Sequence, residues 1–147
     1  DAFLRVYLRA VIDMFNLKSR LRTLSNSETS LAATFVSGGN FRLDEMESKE
    51  HVLSAFEKLD GSGFWRDAIE YFESTGNTTR IDARADDYLL SLAKQSSFDM
   101  FSSASLVLYY LKCRQAAANV RTIVVGKNSG MSEVDIRANL RIAYVND

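Results

Sequence analysis

At 147 residues with 46% hydrophobic content, the chain is long enough for one domain that buries roughly 70% of the surface its unfolded form exposes. Lys and Arg total 18 against 19 Asp and Glu, a formal charge of −1, so the overall balance draws it neither to nucleic acid nor to anionic lipid. The longest uncharged apolar run, Leu106-Val107-Leu108-Tyr109-Tyr110-Leu111, falls far short of the ~20 residues a membrane span needs, and a single cysteine, Cys113, excludes an internal disulfide.

The chain opens at Asp1 on an amphipathic pattern, without a basic segment followed by an apolar one, so the expectation is a piece of a longer chain with no secretory leader. It has no proline, which permits long uninterrupted helices. Leu4, Leu8, Val11 and Phe15, widened by Tyr7, Met14, Leu17, Leu21 and Leu24, follow helical spacing and predict a first helix over residues 2–24. Ser25-Asn26-Ser27 supplies cap-type side chains for a second, Leu31 to Val36, which Gly38-Gly39 ends. A short turn is expected over Leu43 to Glu47. Val52, Phe56 and Leu59 then mark a helix that stops at Gly61-Ser62-Gly63, and Trp65, Ala68, Ile69 and Phe72 mark another that stops at Gly76-Asn77. Ile81, Ala85, Tyr88, Leu89 and Leu92 describe a further amphipathic helix that breaks at Gln95 to Ser97. The clearest pattern is Leu106, Tyr110, Cys113, Ala117, Val120 and Val124, a stripe of alternating four- and three-residue steps. That helix is expected to end near Gly126, with Asn128-Ser129-Gly130 as the turn and Ser132 and Asp135 as the cap of a last helix. No period-two strand pattern stands out.

The chain repeats itself. At an offset of 103, Asn16-Leu17-Lys18-Ser19 lies over Asn119-Val120-Arg121-Thr122, each late in a long helix and each followed by a polar turn and a short helix. Tyr110-Leu111, Asn119-Val120-Arg121-Thr122-Ile123, Gly126-Lys127-Asn128-Ser129-Gly130 and Ile136-Arg137 resemble the C-terminal end of the C subunit of V/A-type rotary ATPases, whose eukaryotic counterpart is the d subunit. Asp13 to Arg22 looks like a recurring family segment with an acid, Asn-Leu-Lys and a following Leu-Arg, and Ser37-Gly38-Gly39 resembles the family's glycine stop. One departure stands out: Asp13 lies three residues ahead of Asn16, whereas Arg114, Gln115 and Ala116 stand ahead of Asn119. The resemblance implies a parent about twice as long, built of three similar helical modules around a pseudo-threefold axis, with this chain as its C-terminal part. It further implies a socket between the proteolipid rotor ring and the central stalk, transmitting torque without chemistry of its own.

The residues carry few alternatives to that implication. His51, the only histidine, sits among Glu47, Lys49 and Glu50 and reads as a solvated surface residue; no triad or multi-histidine metal site can be assembled around it. Cys113 falls on the apolar stripe, where a free thiol acts as a small hydrophobe. Gly126-Lys127 is not a P-loop, because Arg121 stands where the first glycine is needed and Asn128 where Ser or Thr is needed. Gly126 and Gly130 read instead as helix-terminating and turn glycines, with Lys127 at the negative helix end. Asp60-Gly61-Ser62-Gly63 lacks the ligand register of a calcium loop. Two acidic groups, Asp44, Glu45, Glu47 and Glu50, and Asp82, Asp86 and Asp87, read as solvated helix faces or first turns. Asn77-Thr78-Thr79 reads as a loop that merely matches a glycosylation triplet. Asn16 and Asn119 are singled out because an Asn within a helical stripe costs propensity and is expected to return it as a buried polar tie between helices. Arg20, Arg22, Lys112 and Arg114, with Arg121 and Lys127, are candidates to face an acidic partner.

These readings converge on an all-α bundle of six to eight helices, with a repeat segment over residues 1–40 and a module carrying the second copy over residues 41–147. The expected role is a non-catalytic coupling subunit of a V/A-type proton- or sodium-translocating ATPase, without cofactor or metal. It would lie peripherally on the cytoplasmic face, with stalk subunits and the rotor ring as partners, no nucleic acid and no membrane insertion. Two other readings remain open: a helical adaptor or regulatory domain of another assembly, and an enzyme whose pocket would join, for instance, Cys113 and His51.

Overall fold

The computed structural model describes residues 1–25 and 35–142, and among these residues the protein is all-helical, with six α-helices and one 3₁₀ turn. Helix α1 spans Ala2–Ser25, and its first turn is capped by the Asp1 carboxylate, which accepts from the backbone N–H of Phe3 at 2.9 Å. A 3₁₀ turn, Leu43–Met46, leads to α2, Lys49–Leu59, where the Ser48 hydroxyl caps the helix by accepting from the His51 N–H at 3.2 Å. Helix α3, Arg66–Thr75, stops at Gly76, whose φ of 71° is the left-handed conformation that glycine adopts without strain. Asn77 then takes the Thr79 N–H at 2.8 Å and starts α4, Thr79–Ser96. Helix α5 runs over Ala104–Asn128 and α6 over Glu133–Ala138, the latter capped by Ser132, which accepts from the Asp135 N–H at 3.2 Å.

The helices group into two compact units, one built on Arg5–Asp82 and the other on Asp1–Leu4 with the chain from Ala83 onward. The expected segment boundary at residue 40 falls inside the first of these. In that unit the largest fully buried apolar side chains are Met14, Leu17, Leu21, Met46, Val52, Phe56, Trp65 and Ile81. The rings of Phe56 and Trp65 lie 4.8 Å apart, tilted by 46°, and Phe64 meets Trp65 edge-on at 5.2 Å. In the second unit the buried residues include Phe3, Ala85, Leu89, Leu90, Ala93, Ala104, Leu111 and Ile136.

Two local expectations are corrected, and a third lies largely outside the described residues. The stripe of α5 from Leu106 to Val124 is exposed, Cys113 included, while Ala104, Leu111, Gln115 and Gly126 face inward. The reason is that α5 carries apolar residues on both sides, so periodicity locates a stripe without saying which one the core takes. Gly126 does not end α5; the helix continues to Asn128, and a Cβ at Gly126 would stand 2.7 Å from the Ile136 Cγ1, so that glycine serves a close approach of α6. The expected helix over Leu31 to Val36 lies outside the described residues up to position 34, and Phe35 and Val36 are irregular.

Candidate functional site

A side-chain amide offers one acceptor and two donors, and it finds free backbone partners only where the chain has left regular structure, since helix interiors pair their own. Asn16, buried in the second half of α1, meets that condition at Val36. Its Nδ2 donates to the Val36 carbonyl at 2.8 Å and its Oδ1 accepts the Val36 N–H at 2.9 Å. Asn119 in α5 does the same to Arg141, donating to its carbonyl at 3.0 Å and accepting its N–H at 2.9 Å. The two residues that align at an offset of 103 therefore build the same two-bond bracket around a non-helical residue downstream, 20 positions on in one case and 22 in the other. The ties run from helix to irregular backbone, where a tie between helices was expected.

Each bracket is backed by an acid, reached by different routes. In the first unit the buried Asp13 accepts the Asn40 N–H at 2.7 Å, the Asn40 side-chain amide at 2.7 Å and the Phe41 N–H at 3.2 Å. The chain reaches it through Gly38, whose φ of 105° favours glycine, and Gly39, where a Cβ would collide with the Asp13 carboxylate. In the second unit Ala116 holds the position equivalent to Asp13, and the acid comes from α4: Asp87 accepts the Ile142 N–H at 2.9 Å and, more weakly, the Gln115 amide at 3.4 Å. Its neighbour Asp86 bridges two arginines, Arg141 at 2.6 Å and Arg114 at 2.9 Å. Asp86 and Asp87 are thus not the solvated acids they were expected to be. Their sequence signal is that Ala83, Asp87 and Leu90 follow helical spacing and are all buried.

Burial is the main reason that the Asp87 carboxyl is pushed up to about 6; the Ile142 N–H and Arg84 work against the rise, and the Asp86 charge adds to it. A carboxyl raised in this way holds its proton more tightly folded than unfolded. Its contribution to stability is therefore present below the unfolded value near ~4 and is lost as pH climbs through about 6. Asp87→Asn keeps an oxygen for the Ile142 N–H and removes the charge. It is expected to raise Tm at pH 7.5 by roughly 2–4 °C and to flatten the fall in Tm between pH 4 and 7, as read by calorimetry. Asn119→Ala, which strands the Arg141 N–H and carbonyl, is expected to cost about 2 kcal/mol in urea unfolding. Asn119→Asp, keeping the acceptor but turning an oxygen on the Arg141 carbonyl, is expected to be no better than the alanine.

The remaining candidates are placed as follows. Arg20 donates to the Met46 carbonyl at 2.8 Å and the Glu47 carbonyl at 2.6 Å, fixing the 3₁₀ turn. Arg22 pairs with Asp82 at 2.9 Å, which also holds Lys18 at 3.3 Å. Lys112 is half-buried, whereas Arg121 and Lys127 are exposed on α5, and Gly130 turns the chain at φ 72°. His51 is exposed beside a shallow groove lined by Phe41, Asp44, Ser54 and Lys58 among others. Among the described residues no three His, Cys, Asp or Glu gather to hold a metal, and no helix is long and apolar enough to cross a membrane.

The family model described as "ATP synthase (C/AC39) subunit" matches residues 1–139. The chain belongs to that family. Two curated proteins, each named as the C subunit of an A-type ATP synthase and found in the R1 and NRC-1 strains of Halobacterium salinarum, are 29% identical to it over 148 residues, covering 95% of this chain. The chain spans 42% of the length of these relatives. No solved structure matches it. Both asparagines that build the brackets, Asn16 and Asn119, fall inside the matched region.

Proposed function

We propose that this chain is part of a non-catalytic central-stalk subunit that couples the membrane rotor ring to the central stalk of a V/A-type proton- or sodium-translocating ATPase. In this reading it contributes no ATP site and sits on the cytoplasmic face through the ring. The observation that carries the reading is the match of residues 1–139 to the ATP synthase (C/AC39) subunit family, and the name of the Halobacterium relatives agrees with it. The geometry supports it physically. A torque-bearing part needs stiffness, and here long helices without proline are joined to irregular segments by bracketed backbone instead of by side-chain packing alone. Six basic residues, Arg20, Arg22, Lys112, Arg114, Arg121 and Lys127, stand as proposed contacts to acidic partner surfaces, and of these Arg22, Arg114, Arg121 and Lys127 are exposed.

The test is affinity purification from detergent-solubilised membranes with stalk and rotor-ring subunits present. Recovery with both is expected. Clean isolation from both, with the helical fold intact by circular dichroism, would replace the coupling role with that of a helical adaptor of another assembly.

A further inference from the structure

Helix α5 has two apolar faces, and only one of them is occupied. Inward lie Ala104, Leu111 and Gly126; outward, Leu106 is 73% exposed, Tyr110 60%, Val120 61% and Val124 51%, with Cys113 exposed between them. A contiguous exposed apolar stripe of this kind marks an interaction surface. Its period identifies the kind of partner. Leu106, Cys113 and Val120 recur every seven residues, as do Tyr110, Ala117 and Val124, and the steps between the two sets alternate four and three. This is the spacing by which a helix seats another helix along its length, here over roughly 27 Å at 1.5 Å per residue.

Charge narrows the occupant further. Across Ala104–Asn128 the helix carries Lys112, Arg114, Arg121 and Lys127 and no acid. Arg114 and Arg121 directly follow two seam residues and so flank one edge of the seam, the positions from which a coiled coil selects its partner. Arg114 is engaged by Asp86, whereas the exposed Arg121 makes no ion pair among the described residues. A second copy of α5 would set Arg114 and Arg121 against the same arginines if antiparallel and against Tyr109, Ala116 and Ile123 if parallel, with no acid on either helix to meet them. We infer that the outer face of α5 docks one amphipathic helix of a separate subunit, with an apolar seam of its own and Asp or Glu along the edge that meets Arg121. Which assembly that subunit belongs to rests on the coupling reading; the chemistry of the face does not.

Cys113 lies in the middle of the seam and is the only thiol in the chain, so its alkylation rate reports occupancy directly. The probes are two blocked 25-residue helical peptides with Leu and Ile at seam positions, one flanked by Glu and the other by Lys. With the 147-residue chain, the Glu peptide is expected to slow alkylation of Cys113 by iodoacetamide at least tenfold at saturation, and the Lys peptide to leave it nearly unchanged. Arg121→Glu is expected to reverse that preference. Leu106→Asp, at an exposed position that leaves the fold intact by circular dichroism, is expected to abolish protection by either peptide. Equal protection by both peptides, or protection by neither, overturns the inference. So does slow alkylation without peptide: if it grows with protein concentration the occupant is a second copy, and if it appears in a polypeptide of the relatives' full length the occupant is another segment of the same chain. None of these outcomes bears on recovery with stalk and ring subunits, so the two readings fail separately.

Discussion

Asp13→Ala is expected to lower the stability of the unit built on Arg5–Asp82 by about 3 kcal/mol. The carboxylate is fully buried and accepts three hydrogen bonds, two of them from backbone N–H groups of Asn40 and Phe41. Deleting it removes the acceptor shared by three donors, each lost hydrogen bond costing about 0.5–1.5 kcal/mol and more where the donor is shielded from solvent. Trp65, the only tryptophan and buried in the same unit, supplies the fluorescence signal for urea unfolding. Asp13→Asn keeps one acceptor oxygen and should lose roughly half as much. A loss under 1 kcal/mol for the alanine variant would mean that the turn after Gly38 is held by something other than this acid.

Phe56→Ala is expected to cost about 3–5 kcal/mol, the range for removing a fully buried aromatic ring from a packed core. The ring lies against Trp65, so the same variant should also shift the tryptophan emission to the red as water reaches the indole. Phe56→Leu, which fills most of the space, should cost less than half as much and leave the emission nearly in place. A red shift without loss of stability would show that the pair is a surface contact, at odds with the complete burial of Phe56.

Local signals in the sequence carried the helices well. The absence of proline and the spacing of Leu4 to Leu24 located α1 to within a residue or two, and Ser48, Gly76 and Ser132 act as caps or stops where such residues are favoured. Asn16 and Asn119 stood out because asparagine is a poor choice within a helix, and both do carry long-range hydrogen bonds. What they hold was not legible, since Val36 and Arg141 are distant in sequence and contribute only backbone, which has no sequence signature. The acid missing ahead of Asn119 was equally hidden: Asp87 reaches Ile142 from another helix, and no spacing rule connects α4 with the end of the described chain. Helix α5 misled in a different way. Its strongest apolar period belongs to the outer face, because a seam shaped for a partner helix is more regular than a surface fitted to the irregular interior of a small unit.

The brackets have a consequence for what such a repeat requires of its sequence. Asn16 and Asn119 grip a peptide group, which every residue but proline presents in full, so valine in one copy and arginine in the other are held equally well. The grip itself asks nothing of the side chain at that position, although Arg141 is separately engaged by Asp86, and it accepts excursions of different length provided that the chain returns with its N–H and C=O in place. Two segments of this design can hold the same local shape with different surrounding residues, because the asparagine and one intact peptide group are all that the bracket requires.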